Sequence, residues 1–187
     1  MADVARLSSA HITRLPPRVA LYLQASIIVA FLAASSAPTP LYAVYQAKWG
    51  FTPITITTVF GIYALAVLAA LLTVGSLSDY VGRRPVLLSA IVIQAAGLVV
   101  LSQANGVLEL VIGRILQGLA TGAAAGAVGA GMLDLDRARG TLANAIAPVT
   151  GTATGALLSG LLVEYLPAPT RLVYLVLLAI VVAQGVG

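Results

Sequence analysis

Residues 111–122 read VIGRILQGLATG and place a guanidinium, an amide and a hydroxyl at Arg114, Gln117 and Thr121 within an otherwise apolar run. Helical spacings of three and seven put these groups on one face. A charged arginine in hydrocarbon costs about 2.5–3.5 kcal/mol on insertion scales, so it is expected to face a bundle interior or water. Such a stripe can line a path for a substrate or a proton. The alternative is an arginine that snorkels to the interface with its stem in lipid. Gln24, inside the first apolar run, adds an amide that faces either a cavity or a neighbouring helix.

The second chemical cluster lies in residues 75–85, GSLSDYVGRRP. Gly75 allows close approach of another helix, Gly82 permits a tight turn, and Pro85 suits the first turn of a following helix. Asp79 supplies a carboxylate able to pair with Arg83, Arg84 or a more distant arginine, in a contact that differs between two conformations. A plain turn whose arginines hold lipid phosphates is the simpler use of the same residues. Asp134 and Asp136, beside Arg137 and Arg139, read as a solvated loop from which an arginine can also reach Asp79.

The elements that position these groups follow from composition. Of 187 residues, 60% are apolar and 9% charged, and the mean hydropathy is +1.03. That leaves too little charge to cover a soluble surface, so the bilayer is the expected solvent. Uncharged runs predict six transmembrane helices near residues 19–37, 54–76, 86–104, 107–132, 141–164 and 171–187. The first is too long for a signal-peptide core, and Pro38 and Pro40 are expected to form an outer turn after it. No run alternates with period two, so the fold class is an all-α polytopic membrane helix bundle rather than a barrel.

Loop charges orient it. Arg6, Arg14, Arg18, Arg83, Arg84, Arg137 and Arg139 fall on one side, against Lys48 and Arg171 on the other. The positive-inside rule then makes residues 1–18 a cytoplasmic tail and residues 19–187 a multi-pass bundle in the cell (inner) membrane. The sixth run reaches only about 24 Å against a hydrocarbon core of about 30 Å, so the chain is expected to stop within its sixth helix.

Small residues recur at four-residue spacing: Gly118, Gly122 and Gly126 on the fourth span, Gly151, Gly155 and Ser159 on the fifth. In lipid such stripes are seams for helix association. Enzyme signatures are missing. There is no cysteine, His11 is the sole histidine, and no P-loop occurs, so neither catalysis nor a metal or other cofactor is expected. The scattered basic residues form no stripe for nucleic acid.

The string at residues 75–84 resembles the loop between helices two and three of the major facilitator superfamily, G-x-L-x-D-x-x-G-R-R/K, with Tyr80 at a position often basic there. Arg114, Gln117 and Gly118 resemble a fourth-helix pattern of its proton-coupled members. Residues 151–160 resemble the fifth-helix motif of its antiporters, G-x-x-x-G-P-x-x-G-G, with Ala156 replacing proline and Ser159 replacing glycine. The resemblance implies the first half of a twelve-helix transporter that lacks its C-terminal six-helix half and works by alternating access, with proton-coupled efflux of a small amphipathic solute. It also implies that Arg114 perturbs a proton carrier or binds an anion, and that Asp79 belongs to a gate. The other reading is a non-catalytic packing module that requires a separate partner half.

Overall fold

The computed structural model describes residues 16–186, leaving aside the side chains of residues 75–79. Every regular element among the described residues is helical: α1 (Pro17–Ser36), α2 (Pro38–Trp49), α3 (Pro53–Val81), α4 (Arg83–Ser102), α5 (Val107–Leu135), α6 (Arg137–Tyr165) and α7 (Pro169–Val186). Hydrocarbon offers a backbone no hydrogen-bond partner, so a crossing must satisfy its own N–H and C=O groups, which a helix does. With α1 and α2 taken as one 33-residue segment, six segments are long and apolar enough to cross a membrane. This agrees with the six expected spans.

Local chemistry sets the boundaries. Prolines open α1, α3 and α7, where a missing N–H costs nothing. Gly50 closes α2 with φ +67° and donates its N–H to the Gln46 carbonyl at 2.9 Å. Gly82, at φ +94°, makes the turn between α3 and α4, with Pro85 in the first turn of α4. Asp136 alone separates α5 from α6, and its carboxylate accepts the Arg139 N–H at 3.0 Å as an N-cap. The expected solvated loop is therefore one residue, with Asp134 inside α5.

A second expectation is corrected at residues 38–40. The prolines do not turn the chain. Ala37 keeps helical angles and bonds back to the Ala33 carbonyl at 2.9 Å, so α2 continues the path of α1 with only a break, and the turn after the first span falls at residues 50–52. Proline is disfavoured in a helix interior but welcome in a first turn, and here two helices meet end to end. Pro148 is tolerated inside α6, which runs through it unbroken.

At the centre, α5 packs against α3, α4, α1 and α6, while α1 pairs with α6 and α4 with α7. Over half of the most apolar stretch of α5 (56%) is buried, against 11% for α3. The larger core joins Phe31, Leu41, Tyr45, Leu98, Leu101 and Tyr174, and Ile28, Val128, Met132 and Ala147 form a smaller cluster.

Candidate functional site

The last four carbonyls of a helix have no partner within it. At the end of α1 other helices satisfy several of them. Pro38 lacks an N–H, so the Ala34 carbonyl loses its ordinary partner four residues on, and Gln117 Nε2 donates to it at 3.1 Å. Arg114 Nη1 donates to the Ser35 carbonyl at 2.7 Å and to Gln117 Oε1 at 3.1 Å. The Ser159 hydroxyl, from α6, donates to the Ala37 carbonyl at 2.6 Å. The break in the first span is thus held by side chains of the fourth and fifth.

Arg114 is 0% exposed. It does not snorkel, and among the described residues no carboxylate pairs with it. Its charge is balanced by the negative end of the α1 dipole and by aromatic faces on α3. The guanidinium carbon lies 4.2 Å from the Tyr63 ring centroid and 6.0 Å from that of Phe60. Among the described residues Arg114 Nε and Nη2 have no hydrogen-bond partner. The Tyr42 hydroxyl is likewise buried without a hydrogen-bond partner among the described residues.

Of the residues expected along one polar path, the structure brings Arg114 and Gln117 together. Thr121 is buried with an unpartnered hydroxyl, about 10 Å further along α5. Gln24 does not join them. It packs on Gly131 at the opposite end of α5, about 16 Å from Ser35 along α1, so it is removed from this cluster.

The residues expected at a gate divide. Arg83 pairs with Asp134 of α5, tying the start of α4 to the end of the central helix, and Arg84 is exposed. The surroundings of Gly75 and the side chain of Asp79 lie outside the described residues, so the expected arginine contact to Asp79 does too.

Both small-residue stripes are backbone seams. A Cβ built on Gly118 would stand 2.7 Å from the Tyr63 carbonyl, and one on Gly122 would stand 2.5 Å from that of Val67, so this stripe receives α3. Gly126, next in the row, is half-buried. Gly151, with a built Cβ 2.7 Å from the Val29 carbonyl, and Gly155, against that of Ala33, receive α1. The close approach on α6 is what lets Ser159 reach the helix break.

Sequence reasoning missed Phe60 and Tyr63, the aromatic wall of the arginine, although their spacing of three was a usable signal. It also missed the Tyr45–Tyr174 hydroxyl pair at 3.2 Å, and Gln94, buried on α4 with both amide atoms unpartnered. Neither carries a local signature.

Comparison with known proteins bears on this geometry. The family model described as Major Facilitator Superfamily matches residues 24–186. The chain is also similar to the inner membrane transport protein YajR of Escherichia coli (strain K12), 34% identical over 99 residues, which is 52% of this chain and 21% of that protein. The match thus spans about a fifth of that relative's length. An arginine seated at the break of a first span, in a six-span bundle matched by the family model almost from end to end, settles kinship: the chain belongs to the Major Facilitator Superfamily.

Proposed function

We propose that the chain is the N-terminal half of a secondary active transporter of the cytoplasmic membrane, with its N-terminus cytoplasmic, which exports a small amphipathic solute in exchange for protons. The observation that carries this reading is Arg114: a fixed charge, fully buried, anchored to the break between α1 and α2, with Nε and Nη2 unpaired. Burying a charge without a carboxylate is expensive, and a hydrogen bond to the helix break does not require one, since Gln117 and Ser159 make theirs with neutral groups. A fixed charge at a helix break can hold an anionic group, or lower the proton affinity of a neighbouring carrier, in one conformation and release it in another. Arg83 and Asp134, joined across α4 and α5, serve in the inner gate with Asp79 and Gly75.

The test uses membrane vesicles containing the complete transporter and a panel of amphipathic solutes, with and without a protonophore. Arg114→Ala is expected to reduce gradient-driven flux at least tenfold while the protein stays in the membrane. Unchanged flux removes Arg114 from the mechanism, and flux indifferent to the protonophore removes proton coupling. The second reading, a packing module that needs a separate partner half, draws on the exposed apolar faces of α3 and α6. Solute transport that appears only on co-expression with a second six-span chain favours it.

A further inference from the structure

At the end of the bundle that carries Arg83 and Asp134, a cavity of about 470 Å³ opens between the start of α1, the end of α5 and the start of α6. Arg18 and Arg139 line it, with Leu21, Tyr22 and Leu135 on its apolar side. Two helix N-termini point the same way. Neither α1 nor α6 has an acidic residue in its first turn, and the Pro16 cap of α1 offers no side-chain acceptor. Each terminus contributes a partial positive charge and, for α1, first-turn N–H groups with no side-chain cap among the described residues. Among the described residues the acidic wall is Asp136 alone, and its carboxylate is already engaged by the Arg139 backbone N–H at 3.0 Å and by Arg139 Nε at 3.7 Å. The cavity therefore joins an electropositive floor to an apolar flank. Tyr22, 67% exposed, is of a residue type enriched at membrane–water interfaces.

We infer that this cavity seats the headgroup phosphate of an anionic phospholipid between Arg18 and Arg139, with an acyl chain leaving along Leu21 and Tyr22. Free phosphate shares the anionic chemistry but has no use for the apolar flank, and the membrane-end location supplies lipid at high local concentration. The site lies away from Arg114 and does not depend on the transport reading.

The full chain is purified with phosphatidylglycerol and phosphatidylcholine at equal mole fractions, and retained lipid is read by native mass spectrometry. Phosphatidylglycerol is expected to be preferred at least about fivefold. Arg18→Gln is expected to remove about fivefold of that preference, Arg18→Lys to keep most of it, and Arg171→Gln, at the opposite end, to leave it unchanged. Arg139→Gln also removes the ion pair to the Asp136 carboxylate, so Arg18→Gln, at an exposed position and checked for native helicity by circular dichroism, is the deciding variant. Equal retention by Arg18→Gln and the parent chain, or no lipid preference in the parent chain, overturns the inference. Displacement of the lipid by millimolar inorganic phosphate overturns it in favour of a free-anion site.

Discussion

Replacing Gln117 with leucine severs two contacts at once: the hydrogen bond that its amide nitrogen donates to the Ala34 carbonyl at 3.1 Å and the acceptor that Arg114 Nη1 uses at 3.1 Å. Side-chain hydrogen bonds between membrane helices average about 0.6 kcal/mol and reach about 1.7, and a buried carbonyl left unpaired costs about 1–3 kcal/mol. We predict that Gln117→Leu lowers the unfolding free energy by about 1–3 kcal/mol. The cost has a specific cause, because Pro38 leaves the Ala34 carbonyl no backbone donor. Pro38→Ala in the Gln117→Leu background restores an N–H at that position, and about 1 kcal/mol is expected to return. With Gln117 present, the new N–H competes for an occupied carbonyl and gains less. The four proteins form a double-mutant cycle, read by reversible unfolding in mixed micelles. A coupling above about 0.5 kcal/mol supports the account. Strict additivity, or a neutral Gln117→Leu, refutes the idea that the fourth span substitutes for the proline's missing donor.

Other predictions rest on separate contacts. Gly155→Leu drives a side chain into the Ala33 carbonyl and Ser36 Oγ. It is expected to cost about 3 kcal/mol or more and to abolish the folded species in size-exclusion chromatography. Gly160→Ala, with nothing within 4 Å of a built Cβ, is expected to be neutral or slightly stabilising, and comparable losses in both variants refute the seam. The Arg83 and Asp134 side chains are 35% and 67% exposed, so Arg83→Gln is expected to change stability by less than about 1 kcal/mol. If the pair works in a gate, the reversed pair Arg83→Asp with Asp134→Arg recovers the flux lost in each single variant; a reversed pair as impaired as the singles removes it from gating.

What the chain states by itself follows from solvent and period. A 60% apolar sequence with basic residues confined between long uncharged runs has one compatible solvent, and in that solvent an uncharged run of span length must be helical. The six spans, the small-residue seams and an inward-facing Arg114 all come from local charge and spacing. The same reasoning predicts a turn at Pro38 and Pro40, and there it fails, because proline's effect depends on whether a new helix begins at that point. Gln117, Arg114 and Ser159 decide the matter, from 83, 79 and 122 residues away from the carbonyls they satisfy. Likewise the spacing that turns Arg114 inward names no partner for it, and only tertiary structure supplies a helix end and two aromatic faces. Gln24 parts from the path because a shared polar character says nothing about depth along a bundle. Helices are local, dictated by contacts a few residues apart and a surrounding without water; which orphan carbonyl meets which donor depends on how those helices cross, and that is a property of the packed whole.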